Sequence, residues 1–189
     1  MTYVVVITII LVLSLVASIV SIIKNIKKLS NYKKYFIETY KEFDLILSDK
    51  INYIRLFFDE LKKYNNYDRE FNDGISNLKS EIDKYYSSGT RENQVINNDN
   101  LTIIINSLND LINSKYTNIL ENNDLKTNLD KTLLLQEELG KKRIEFNGKI
   151  VEYNKTMDTI FGKIASKILR YKKWDTLWLN IIYLSFFFS

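Results

Sequence analysis

Between Tyr3 and Ile23 the chain reads YVVVITIILVLSLVASIVSII, 21 residues without a charged side chain. A bilayer core about 30 Å thick is crossed by roughly 20 helical residues. In lipid each backbone N–H and C=O must find its partner within the segment, which a helix provides. Residues 1–23 are therefore read as a transmembrane anchor. A cleaved leader would start with basic residues, carry a shorter apolar core and end in a small-residue cleavage site. No lysine or arginine precedes this run, and it is too long for such a core. Lys24, Lys27, Lys28, Lys33 and Lys34 follow it, with no acid before Glu38. The positive-inside rule then predicts a single-pass protein with its N-terminus outside and its body in the cytoplasm. Ser14 with Ser18, and Ala17 with Ser21, put small residues at four-residue spacing, a pattern that permits self-association through the span but is common in spans generally.

Composition narrows the rest. The 189 residues contain no proline and only five glycines. Both residues punctuate turns, so their scarcity predicts few, long elements and argues against an all-β protein. Cysteine and histidine are absent, which removes disulfides, thiolate zinc sites, cysteine nucleophiles and the commonest general base. No cofactor is implied, and the net charge of +4 is modest.

After the anchor, apolar residues recur at steps of three and four, the helical period. Ile26, Leu29, Phe36, Tyr40, Phe43 and Leu47 extend the first helix beyond the membrane. A second stripe from Ile51 to Tyr85 predicts one helix, bent near Asn65 or Gly74, and Ser87–Asn93 reads as a loop. A third runs from Leu101 to Leu120, with a turn at Glu121–Asp124. The fourth carries Leu125, Leu129, Leu135, Leu139, Phe146, Ile150, Tyr153, Met157, Ile160, Ile164 and Ile168. Stripes of this width belong to bundles. The expected fold is all-α: an N-terminal transmembrane helix continuing into an antiparallel four-helix bundle of long helices over residues 24–173.

Four antiparallel helices that start at a membrane also finish there. Residues 174–189 form an aromatic, apolar tail with one charge, Asp175, preceded by Lys163, Lys167, Arg170, Lys172 and Lys173. Basic residues are favoured against anionic lipid, and tryptophan suits the interfacial belt. Lys24, Lys27, Lys28, Lys167, Arg170, Lys172, Lys173, Trp174 and Trp178 are thus expected at the membrane surface. The tail is too short to span; it either inserts shallowly or folds over the open end of the bundle.

The fourth helix carries a recognisable pattern. Asp124-Leu125-Lys126-Thr127-Asn128 is followed by Leu135-Gln136-Glu137-Glu138-Leu139 and, fourteen residues after Leu139, by Tyr153-Asn154. This resembles the LemA family, whose members read D-L-K-A-N, L-Q-x-E-L and Y-N at that spacing. Leu47–Ile75 is similar to the stretch where the family has a D-L-I-P-N-L-like motif, although its proline is absent here, and a second family Y-N falls on Ile160-Phe161. The resemblance implies a bacterial, membrane-anchored helical bundle and no reaction. Leu125, Lys126, Asn128, Leu135, Gln136, Glu138, Leu139, Tyr153 and Asn154 carry the motif. Tyr153 lies on the apolar stripe with a hydroxyl that needs a partner, and Asn154 is placed to bond a neighbouring helix, so a packing role is expected for both.

Other constellations carry less. Glu137 and Glu138, with Asp130 and Asp158, lack the histidines that di-metal bundles use. The basic patches flank the predicted membrane contacts, so lipid rather than nucleic acid is the expected partner. The expected function is that of a scaffold or adaptor, without catalysis, for an unknown protein partner at the bacterial cell membrane. The alternative is a signalling module that transmits a helix shift through the stalk.

Overall fold

The computed structural model describes residues 1–64, 67–88 and 91–174, and of Thr2 and residues 91–96 the backbone alone. The elements are α1 (Thr2–Leu61), a 3₁₀ turn (Lys62–Tyr64), α2 (Arg69–Ser87), α3 (Arg91–Lys115), a second 3₁₀ turn (Thr117–Glu121), α4 (Asn123–Asp158) and α5 (Ile160–Leu169). The fold is all-α, and among the described residues there is no strand.

α3 opens at Arg91, inside the expected Ser87–Asn93 loop, and ends at Lys115; two other boundaries differ more. α1 does not stop between Leu47 and Ile51 but runs 60 residues to Leu61, and the turn comes inside what reads as one long second stripe. Phe58 and Leu61 before the turn, and Tyr67, Phe71 and Ile75 after it, belong to the same hydrophobic core. The apolar period therefore persists across a chain reversal. The local signal for that reversal is polar. Asp68 caps α2, its side chain accepting from the Phe71 backbone N–H at 3.0 Å, the role its short carboxylate serves best. The second difference is at Thr159, which is extended (φ −68°, ψ 156°) and splits the expected fourth helix into α4 and α5.

Two compact units divide the chain. The second comprises residues Glu42–Gly140, and the first joins Met1–Lys41 to the chain from Lys141 onward. In the second unit the end of α1, α2, α3 and the start of α4 surround one core, with Ile54, Phe57, Leu61, Phe71, Leu78, Leu101, Ile105, Leu108, Ile112, Ile119, Leu125 and Leu129 buried. α2 and α3 run antiparallel: Lys115 pairs with Glu70 at one end, and Asn97 Nδ2 donates to Lys84 O at 3.1 Å at the other. Asn122 opens α4, its Oδ1 accepting from the N–H groups of Asp124 and Leu125 at 3.0 and 3.1 Å.

The α2 cap carries a pH dependence. A hydrogen bond from the Tyr116 hydroxyl, and then the cap bond, hold the Asp68 carboxyl below its ordinary value. The same bond pushes the Tyr116 hydroxyl up to about 12. A carboxyl held low contributes stability above its unfolded value, about 4, and loses it as pH falls through the folded value. A tyrosine held high contributes below its unfolded value, about 10, and loses it as pH rises toward 12. We therefore expect a late-titrating tyrosine at about 12 in an ultraviolet pH titration, and that step should return toward 10 in Asp68→Asn. An unchanged titration curve would refute the pairing.

In the first unit α1 and α4 pack antiparallel. The Tyr32 hydroxyl donates to Glu152 Oε2 and the Tyr35 hydroxyl to Glu145 Oε1, each at 3.0 Å. Phe36 is fully buried between them, 5.3 Å from the Phe146 ring and 5.5 Å from that of Tyr153. The break at Thr159 then changes which face is inside. Its Oγ1 accepts from Gly162 N–H at 3.0 Å and lies 2.8 Å from Thr156 O as donor. Beyond it the buried residues are Gly162, Ala165 and Ser166. Ile160, Ile164 and Ile168, expected in the core, are instead 77%, 41% and 60% exposed. The physical reason is phase: an extended residue interrupts the helix, so a stripe counted through it no longer points inward.

Candidate functional site

The functional region the sequence points to lies in the first unit, where the apolar span, the basic residues and the Tyr-Asn pair are found together. From Tyr3 to Val16 the large apolar side chains of α1 are exposed on every side of the helix, and α1 is long and apolar enough to cross a membrane. Three hydroxyls of the span are satisfied locally. Thr8, Ser18 and Ser21 donate their hydroxyls to the carbonyls of Val4, Ser14 and Ala17 at 2.8, 2.9 and 2.9 Å. This is the pairing an apolar solvent demands. It also commits the Ser18 and Ser21 hydroxyls to their own helix.

Lys24, Lys27, Lys28, Lys167, Arg170, Lys172 and Lys173 are all exposed. Lys28 sits over the Tyr32 ring, 5.9 Å from its centre, and Lys33 over the Tyr171 ring at 4.4 Å. Lys173 pairs with Asp158 at 2.8 Å. Trp174 is half-buried, 4.8 Å from the Phe36 ring and 5.7 Å from that of Tyr40. Trp178 and the rest of the tail from 175 to 189 lie outside the described residues.

Tyr153 and Asn154 form a clasp on the returning chain. The Tyr153 hydroxyl donates to Lys172 O at 3.0 Å, and burial pushes its pKa up, so it remains a donor. Asn154 Nδ2 donates to Trp174 O at 2.7 Å while its Oδ1 accepts from Trp174 N–H at 3.1 Å. One carboxamide thus satisfies both backbone groups of one residue, and the partner is the chain's own C-terminal segment rather than a neighbouring helix. Each such bond nets about 0.5–1.5 kcal/mol. Removing the pair with Asn154→Ala should therefore raise tryptic cleavage at Lys172 and Lys173 roughly 5- to 150-fold. Asn154→Asp, which keeps the acceptor and loses the donor, should fall between. Equal cleavage in all three proteins would count against the clasp.

The other motif residues do not join this pair. Leu125, Lys126, Asn128, Leu135, Gln136, Glu138 and Leu139 belong to the second unit. There Leu125 and Leu139 are buried, Lys126 is exposed, and Asn128, Leu135, Gln136 and Glu138 are half-buried.

No protein-family model, curated protein or solved structure matches this chain.

One residue escaped the sequence reading. Lys50 is 1% exposed in the core of the second unit. Its ammonium donates to Asn98 Oδ1 at 3.0 Å and Thr102 Oγ1 at 2.7 Å. A heptad-aware reading would have found it. Phe43, Leu47, Lys50, Ile54, Phe57 and Leu61 alternate steps of four and three, and all are buried, so the lysine fills a core position of an unbroken seam. A single polar residue at such a position fixes helix register at some cost in stability. Beside this core, two surface grooves of about 370 and 360 Å³ share Tyr86: one is lined by Asp44, Ser48 and Asn52, the other by Arg55, Asp59, Lys79 and Asp83. Among the described residues no carboxylate cluster gathers in metal-binding reach.

Proposed function

We propose that the chain is a divergent LemA-family protein, a bacterial membrane-anchored helical scaffold or adaptor whose body, on the cytoplasmic side, presents helix surface to a protein partner without catalysing a reaction. The single observation that carries this reading is α1. One unbroken helix begins as an apolar span and continues into both packed units, so the body is tethered by regular structure rather than by a linker. The order of elements supports the family resemblance, and the basic flank after Ile23 supports the orientation. Ile103 and Leu134, exposed at 63% and 57% in the second unit, are apolar positions where a partner helix would gain by docking.

The test is photo-cross-linking in intact cells from positions 103 and 134. The scaffold reading expects a discrete adduct with another polypeptide that Ile103→Asp abolishes. Adducts only between copies of this chain would favour the signalling alternative and overturn the adaptor role. Orientation is read separately, because the chain lacks cysteine. With the body inside, Thr2→Cys reacts with an impermeant maleimide in intact cells and Ser88→Cys only after lysis.

A further inference from the structure

The break at Thr159 leaves α5 with three distinct faces. Gly162, Ala165 and Ser166 are buried, and Ile160, Ile164 and Ile168 form an exposed stripe on the opposite side. Lys163, Lys167 and Arg170 flank that stripe, all exposed. From Thr159 to Trp174 the sequence holds no acid, and the nearest one before it, Asp158, is neutralised by Lys173.

The chain on either side of α5 is tied to the part of α1 that follows the span. Tyr153 packs edge-on against Tyr32 with ring centres 6.0 Å apart, and Lys33 covers Tyr171. α4 runs antiparallel to α1, so Asp158, five residues past Tyr153, comes level with about residue 27. That is about four residues, or roughly 6 Å of helix rise, beyond the end of the span at Ile23. α5 therefore starts in the layer where headgroups meet acyl chains, and an amphipathic helix with basic flanks is the element that binds there.

We propose that α5 is a second, interfacial membrane contact: Ile160, Ile164 and Ile168 enter the acyl boundary of the leaflet that receives the span, and Lys163, Lys167 and Arg170 engage anionic phosphate headgroups. This deepens the anchored reading and rests on it. α5 opens about four residues past the level of the span's end, its charge complements anionic lipid, and the chain before and after it packs on the anchor-bearing helix. These three observations together select a lipid surface over a protein groove as its occupant.

The test uses the full chain in phosphatidylcholine vesicles with and without phosphatidylglycerol. Single cysteines at Leu13, Lys155, Ile164 and Ile168 carry nitroxides, and collision with oxygen is compared with collision with a water-soluble nickel chelate. The oxygen-to-nickel ratio should be high at 13, low at 155, and several-fold above the 155 value at 164 and 168. It should rise at 164 and 168 with phosphatidylglycerol, and Lys163→Glu with Lys167→Glu should return it toward the 155 value. A ratio at 164 equal to that at 155, with 13 deep in lipid, overturns the α5 contact and leaves the anchor standing. Shielding of 164 from both reagents means that protein covers the stripe and overturns it equally. An aqueous reading at 13 removes the anchor itself.

Discussion

Phe36→Ala is expected to remove most of the stability of the first unit. The side chain is fully buried, with the Tyr32, Tyr35, Phe146, Tyr153 and Trp174 rings all within 6.3 Å of its own. Truncating a buried phenylalanine costs about 3–5 kcal/mol through lost transfer energy and the cavity left behind. The ring pairs add about 0.5–1.5 kcal/mol each beyond burial. A domain is stable by only about 5–15 kcal/mol, so the variant should sit near the edge of folding. Because α4 and the 171–174 segment meet α1 through this ring, both should open together. Hydrogen exchange should accelerate across 143–158 and 171–174, and the chemical denaturation midpoint in detergent should fall. Ile37→Ala, at an exposed neighbour, should change stability by less than about 0.5 kcal/mol. A loss below about 1 kcal/mol in Phe36→Ala would mean that the cluster does not hold the unit together.

Gly162→Ala is the second large effect, and its sign differs from that at another glycine. A Cβ at 162 would stand 1.8 Å from Thr156 O and 2.6 Å from Thr159 Oγ1. The first is backbone, and it also accepts the Thr159 hydroxyl, so it cannot move without opening the turn. The variant must then give up the Thr159 cap, worth about 0.5–2 kcal/mol, together with the docking of the Gly162, Ala165 and Ser166 face. We expect α5 to undock, with exchange across 160–169 becoming fast while α2 and α3 stay protected. At Gly148 a Cβ meets nothing within 4 Å. There alanine removes backbone freedom from the unfolded chain and should stabilise α4 by about 0.5–1 kcal/mol. Finding the same sign at both positions would refute the close approach at Thr159.

The clasp and α5 show where local reading reaches its limit. That Tyr153 and Asn154 needed partners was legible, since a phenol on an apolar stripe and an amide beside it must be satisfied. That the partners are the backbone of Lys172 and Trp174 was not, because nothing in the spacing says that the chain turns back after Arg170. Arg170 makes that turn in the left-handed conformation (φ 55°), where glycine or asparagine would have given warning. Thr159 gave a faint signal: a threonine with a small residue three positions on is compatible with a cap. The apolar count at Ile160, Ile164 and Ile168 outweighed it.

By itself the sequence determined helical class, the length of the apolar span and the sidedness of its basic flank. All three follow from local quantities: period, run length and charge order. Tertiary structure decided where the chain reverses, which isoleucines face outward and why a lysine sits in a hydrophobic seam. Those outcomes depend on what lies across the core. Two helices burying their stripes on the same neighbours stay in phase through a turn, so periodicity alone cannot find the reversal between α1 and α2. The buried ammonium of Lys50 is met by Asn98 and Thr102, about 50 residues away in sequence, which arrive at hydrogen-bond distance and offset its burial.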